Sequence, residues 1–289
     1  MISKISIGSV QFGLDYGINN KKGIMPAQEI KSILEYSYNL GIRNIDTASV
    51  YGKSQQVLGK CDISKWNITT KISPIKKKEN ISENIYSEIS KSLDYLKIDS
   101  VFSILVHDSM QLLDPDLGND IFRALELIKK KGLTKKIGIS IYDPILLNKI
   151  INKYKTIDIV QAPLNILDRR LFLSGWINKL KKLDIEIQVR SIFLQGLLLM
   201  SYEDQVSKFS KWIHLWEIWN NWLSRSNISS LEACLNYASS IKQIDNIIIG
   251  IDSLDQLKQI VAIKSDNNFN FPNNFYSNDT KLINPSLWT

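Results

Sequence analysis

Cysteine and histidine are scarce: the 289-residue chain has two of each. Cys61 and Cys234 lie far apart and in no CxxC spacing. That excludes a disulfide framework and a zinc motif, and two reduced thiols fit a cytoplasmic protein. Long apolar runs are missing as well. Stretches such as Leu197–Met200 and Ile247–Ile249 fall far short of the roughly 20 residues a membrane helix needs, and residues 1–13 lack the apolar stretch of a secretory signal, so no membrane partner is expected. There is no Gly-, Ser- or Pro-rich linker and no fixed-period repeat, which points to one domain over residues 1–289. With 44% apolar and 22% charged residues, the composition is that of an ordinary globular protein and excludes a disordered chain or a coiled-coil rod.

Basic residues outnumber acidic ones by 36 − 29 = 7. Such a balance can serve an anionic partner, but the lysines are spread along the whole chain and no nucleic-acid partner is expected. The one local run, Lys76-Lys77-Lys78, follows a predicted strand. It reads either as a solvated loop or as a guide for an anionic ligand.

What the chain does contain is a regular alternation. Short β-branched runs at Ile5–Ser9, Ile42–Asp46, Ile68–Lys71, Val101–Val106, Lys136–Ser140, Ile157–Gln161, Glu186–Ser191 and Asn246–Gly250 are separated by amphipathic stretches. Ile81, Ile85, Ile89, Leu93 and Leu96 line one face of such a stretch. Pro26 opens Ala27–Leu40 and Gly41 closes it, Pro144 opens the stretch to Lys153, and Asn119–Lys131 ends on lysines before Gly132. Arg170–Leu183 and Leu254–Lys264 complete the set. About eight βα units predict an α/β fold, a (β/α)8 TIM barrel with side chains packed inside. Residues 201–240 exceed one connection and add a Trp-rich helical segment. Residues 265–289 read as a C-terminal tail packed across the barrel.

In such a barrel the chemistry lies at the carboxyl ends of the strands. Strand two ends at Asp46 with Tyr51 in the next loop (IDTASVYG), strand three ends at Lys71 (ITTK), and strand four runs into His107 (LVHD). Each alone has an ordinary structural explanation; their joint appearance at successive strand ends is the signal. A free phenol, with a pKa of about 10, is a poor acid at neutral pH. A cation close by lowers that value. Lys71 can be the cation, Asp46 can hold it, and His107 can orient a carbonyl oxygen. The set can polarise C=O and deliver a proton from Tyr51. It lacks a nucleophile and a metal cage, so the missing partner is a hydride donor.

These residues resemble the aldo-keto reductase family. GIRNIDTASVYGKSQQVLG is similar to its G-x-R-x-I-D-T-A-x-x-Y-G segment followed by L-G, and ITTK, LVHD, KIGIS, VQAPLN, SIFLQGLL and IIIGIDSLDQL follow in the family's order, from about Ile5 to Lys264. The resemblance implies an NAD(P)H-dependent oxidoreductase that reduces an aldehyde or ketone, a small-molecule carbonyl substrate, without metal. It implies Tyr51, Asp46, Lys71 and His107 as the catalytic tetrad. Ser140 and Gln161 match positions that hold the nicotinamide carboxamide, although Ile141 replaces a frequent Asn. Ser191, Phe193, Gln195 and Gly196 match the loop near the pyrophosphate. Arg190 stands where the family usually has an aromatic that stacks on the nicotinamide; its guanidinium plane can stack or pair with an anionic substrate. Gly250, Ser253 and Gln256 match the adenosine-phosphate segment. The basic 2′-phosphate clamp is replaced by Ile251 and Gln256, with Asp252 nearby, so NADPH and NADH both stay open as cofactors.

By the same likeness, the loop holding Phe12 and Tyr16 (QFGLDYG) shapes the substrate pocket; otherwise it is a turn against the barrel rim. Trp212, Trp216, Trp219 and Trp222, at helical spacing, form either core or interface packing or an aromatic wall for a sugar ring or base. His214 and Glu217 face away from that stripe and lack a third ligand for a metal. The family branch suggests a keto-sugar or sugar nucleotide and a place in carbohydrate biosynthesis. Two other readings compete: a non-catalytic nucleotide-binding barrel, and a sugar lyase or epimerase using the same pocket.

Overall fold

The computed structural model describes residues 1–289 apart from Lys21, Lys77, residues 265–269 and Thr289. Eight parallel strands, β1 (Ile5–Gly8), β2 (Asn44–Asp46), β3 (Asn67–Ile72), β4 (Val101–Val106), β5 (Thr134–Ser140), β6 (Ile159–Pro163), β7 (Glu186–Arg190) and β8 (Asn246–Gly250), form a closed barrel in sequence order. Closure is made by β1 against β8, with Ile7 opposite Ile249. Around it lie α1 (Ala27–Asn39), α2 (Ser54–Leu58), α3 (Ile81–Leu96), α4 (Gly118–Lys130), α5 (Leu147–Lys153), α6 (Arg170–Leu173) and α7 (Trp176–Lys182). The predicted single helix over Arg170–Leu183 is broken in two at Gly175, whose φ is +74°. Beyond β7 come α8 (Tyr202–Lys208), α9 (Ile213–Ser226) and α10 (Ser230–Ser240), then α11 (Leu254–Ala262) and α12 (Thr280–Ile283).

The apolar core sits between strands and helices. Ile45, Ile68, Ile104 and Ile137 of the strands and Ile30, Ile85, Leu93 and Leu125 of the helices are all buried. The inside of the barrel is polar. Asn44 of β2 donates to Asn246 of β8 at 2.9 Å, reaching past β1, and Asn67 donates to Asn44 at 3.1 Å. Asn246 and Gln188 both donate to Glu186 Oε1, and Lys136 donates to Glu186 Oε2 at 2.6 Å. Because each amide supplies both donor and acceptor, these lumen side chains pair with one another.

The Trp-rich segment is core. Trp216 and Trp219 are fully buried, and their indole N–H groups donate to the carbonyls of Phe209 and Leu198. The tail covers this helix and reaches the segment after β6: Phe275 stacks on Trp219 with centroids 4.9 Å apart, Trp288 meets Phe209 edge-on at 4.9 Å, and Ser277 N–H donates to Leu167 O at 2.9 Å. His214 and Glu217 face solvent. Lys76 and Lys78 are exposed as well, and Lys78 pairs with Asp116 at 2.7 Å; Lys77 lies outside the described residues. No helix among the described residues is long and apolar enough to cross a membrane.

Candidate active site

The carboxyl ends of the strands open into one cavity lined by Asp46, Tyr51, Lys71, His107, Ser140, Gln161, Arg190, Ser191, Phe193, Gln195, Gly196, Gly250 and Gln256. The register explains the convergence. Gly8, Asp46 and Thr69 lie side by side across β1–β3, and Lys71 is two residues further along β3, on the same face of its strand. The loop that carries Tyr51 is held by Thr47 N–H to Thr69 O at 2.8 Å and by Ser54 N–H to Tyr51 O at 3.0 Å. Two glycines permit its approach to the turn after β1. A β-carbon at Gly13 would collide with the Tyr51 carbonyl, and Gly52 adopts φ +57° against Gly13.

Lys71 is 1% exposed, and its ammonium donates to Asp46 Oδ2 at 2.6 Å, to Thr47 O at 3.1 Å and to the Tyr51 hydroxyl at 3.4 Å. Gln161 of β6 donates to Asp46 Oδ1 at 2.7 Å across the barrel, and also to Gln188 at 3.2 Å. The Asp46 carboxylate is thus clamped from both sides, and a buried ion pair with its oxygens satisfied avoids much of the penalty of burial. Burial pulls the Lys71 ammonium below its ordinary pKa, and Asp46 opposes that pull.

The sequence led to an acidified phenol, and the electrostatics run the other way. Burial, and then the Asp46 carboxylate, raise the Tyr51 pKa above its ordinary value, against Arg190. With Lys71 paired to Asp46, the Arg190 cation alone does not overcome desolvation at the hydroxyl. Tyr51 therefore keeps its proton at neutral pH, and the Lys71 ammonium is in place to stabilise phenolate as it forms. His107 meets the Tyr51 ring edge-on with centroids 6.1 Å apart. Burial, then the Lys71 and Arg190 cations, pull it down to about 4, so the imidazole is neutral at pH 7.

The remaining expected residues divide. Ser140 Oγ lies 3.5 Å from Gln161 Oε1. Arg190 donates to Ile141 O and Ser191 Oγ and stacks at 4.3 Å over Tyr142. The loop after β7 is left-handed at Ser191, Leu194, Gln195 and Gly196; strain of this kind gathers at functional sites, and such backbone can form concave anion sites. Gln195 donates to the Tyr16 hydroxyl at 2.8 Å, joining the loops after β1 and β7. Phe12 is a correction: it is 1% exposed, belongs to the apolar core and does not line the cavity, because the turn ending at Gly13 points it inward. Ser253 is absent from the lining, and its hydroxyl caps α11 by accepting from Gln256 N–H at 3.2 Å. None of the tryptophans lines the cavity, which removes the aromatic-wall reading.

Sequence reasoning missed Tyr142, Gln11 and Asn20, which also line the cavity. Tyr142 could have been found by reading two residues past the end of β5. Beside His107 the mouth continues into an apolar shelf of Val50, Pro74, Met110 and Ile145.

The residues suit a dinucleotide. Buried Gln11 Oε1, His107 Nδ1 and Asp252 Oδ1 have no hydrogen-bond partner among the described residues, and all three side chains line the cavity. Gly250 and Gly196 are required by packing within the protein: a β-carbon at Gly250 would strike the Gln11 amide at 2.6 Å, and one at Gly196 would crowd Asn19 at 2.9 Å. Among the described residues no cluster of His, Cys, Asp and Glu could hold a metal ion.

The sequence profile of the Aldo/keto reductase family matches residues 4–276, and the chain belongs to that family. It is an NAD(P)H-dependent oxidoreductase of the carbonyl-reducing kind. Two solved structures share the fold. A Pseudomonas aeruginosa protein described as an aldo-keto reductase is 20% identical, with a TM-score of 0.66 over 90% of this chain and 88% of that one. The holo form of an aldo-keto reductase from Bacillus halodurans is 18% identical, with a TM-score of 0.70 over 90% and 86%. No curated protein sequence matches significantly.

Proposed function

We propose that the chain reduces an aldehyde or ketone to an alcohol with Tyr51 as the proton donor. NAD(P)H, when bound, supplies the hydride. The observation that carries this reading is the buried Lys71 ammonium between Asp46 Oδ2 at 2.6 Å and the Tyr51 hydroxyl at 3.4 Å, on the wall of a cavity long enough to reach the end of β8. Tyr51 arrives protonated, and Lys71 carries the charge that develops on its oxygen. His107, neutral, can donate one N–H to the substrate oxygen and so set its direction. Ser140 and Gln161 offer hydroxyl and amide groups to the nicotinamide carboxamide, Arg190 a flat cationic face, and the loop of Ser191, Phe193, Gln195 and Gly196 its backbone to the pyrophosphate.

The substrate's body would lie on Val50, Met110 and Ile145, with Tyr16 at the opposite rim. A keto-sugar or sugar nucleotide, and with it a role in carbohydrate biosynthesis, is the finer reading; what favours it is the polar rim formed by Asn20 and Tyr16. Reduced cysteines favour a cytoplasmic location. The test is coenzyme oxidation with a panel of aldehydes, ketones and keto-sugars, using wild type and Tyr51→Phe. Carbonyl-dependent oxidation that the variant loses supports the reading; a variant that turns over like wild type rejects Tyr51 as the acid.

A further inference from the structure

We propose that Asp252 and Glu29 make the β8 end of the cavity select a dinucleotide whose adenosine ribose carries no phosphate, so that the chain takes NADH in preference to NADPH. This rests on the dinucleotide reading above.

The cavity is polarised. Its reactive end holds Lys71, Arg190 and Asp46, and the hydride must be delivered there. The adenosine half therefore falls toward the other end, where Gln11, Asp252 and Gln256 line the wall. Asp252 stands two residues beyond β8. Its Oδ1 is buried and has no hydrogen-bond partner among the described residues. A ribose hydroxyl can donate to that oxygen. A phosphate cannot, and it adds like charge beside a carboxylate.

A second observation concerns the start of α11. A helix N-terminus is ordinarily a ready anion site. Here two of the first-turn N–H groups, and one just before the helix, already have acceptors. Leu254 N–H donates to Glu29 Oε1 at 2.7 Å, Gln256 N–H to Ser253 Oγ at 3.2 Å, and Asp252 N–H to Gln256 Oε1 at 2.7 Å. The first acceptor is itself a carboxylate, brought from α1. A phosphate seated at this terminus would have to displace Glu29 while facing Asp252. Among the described residues, Lys22 is the cation lining a small side cavity with Glu29 and Asp252, and it is exposed. Among the described residues that line that cavity, one exposed ammonium faces two carboxylates. No arginine lines it, so bidentate capture of a phosphate is not available there.

The test is titration of the purified protein with NADH and with NADPH, without substrate, followed by tryptophan fluorescence or calorimetry. Wild type is expected to bind NADH about tenfold or more tightly than NADPH, since tenfold corresponds to one modest like-charge contact of about 1.4 kcal/mol. Asp252→Ser and Glu29→Gln should each narrow the ratio, chiefly by tightening NADPH, and Asp252→Arg should narrow it most. Equal affinities in wild type, or an unchanged ratio in both Asp252→Ser and Glu29→Gln, overturn the selection while leaving the dinucleotide site standing. Absence of binding by either coenzyme removes the site reading itself, and the selection with it.

Discussion

At the reactive end of the cavity, Lys71 is 1% exposed and its ammonium joins Asp46 to Tyr51, with Gln161 bracing the same carboxylate from across the barrel. At the β8 end, Asp252 is half-buried with one oxygen unpartnered, and the supporting contacts come from a helix cap and from Glu29 on a distant helix. The first end is anchored on strand ends, with Lys71 and Asp46 buried. Lys71 and Asp46 are paired within the barrel, where a low dielectric makes an unpaired charge costly. The second end rests on loops and leaves an acceptor free. Changes at the first should damage rate and stability together, whereas changes at the second should alter which coenzyme binds and leave the barrel intact.

The largest expected break in that contrast is Tyr51→Phe. Loss of the proton donor should lower turnover by about 10²–10⁴, with coenzyme affinity within a few-fold of wild type. Steady-state rates and fluorescence titration check the two halves. If coenzyme affinity fell in proportion to rate, Tyr51 would be shaping the binding site rather than donating the proton.

Next is Lys71→Met. It leaves the Asp46 carboxylate buried without its cation, a change that costs about 3–5 kcal/mol in comparable sites. Denaturant unfolding should show that loss. The double variant Lys71→Met with Asp46→Asn should recover part of the stability and none of the activity. A single variant as stable as wild type would mean that the pair contributes little to the fold.

The third concerns pH. His107 is held near 4 in the fold and near 6.5 in an unfolded chain. Between those values the unfolded chain binds a proton that the folded one refuses, so this group destabilises the fold as pH drops from about 6.5 toward 4. Above that window it contributes no slope. His107→Gln should flatten stability against pH in this range, measured by thermal unfolding at fixed ionic strength. An unaltered slope would assign the pH response to other groups.

The smallest effect is expected at Lys78→Ala. Its pair with Asp116 is exposed, so removal should leave stability in denaturant unfolding close to that of wild type and the rate unchanged. A marked rise in KM for an anionic substrate would instead revive the guiding role of the lysine run.

The reactive end was legible because its residues are tied to strand ends. Asp46 ends β2 and Tyr51 lies in the loop that follows, both within GIRNIDTASVYG, Lys71 sits in β3, and His107 directly follows β4, so alternation and a strand-end rule suffice to bring them together. Phe12 was misread because a turn residue's inward or outward direction depends on the loop it meets, here the Tyr51 loop pressed against Gly13. The tryptophan spacing announced a helix face but not its cover, which comes from Phe275 and Trp288 in the tail. The acidity of Tyr51 could not be read at all, since its direction depends on burial and on how completely Asp46 cancels Lys71.

By itself the sequence determined the eight-unit alternation, the family resemblance and the four residues at the barrel mouth, because these follow from local periodicity and from short segments. Only the tertiary structure decided the polar barrel lumen, the protonated state of Tyr51 and the carboxylates at the β8 end. Those depend on groups as remote in sequence as Glu29 and Leu254, and charge in a protein interior is governed by what lies within a few ångströms, whatever its position along the chain.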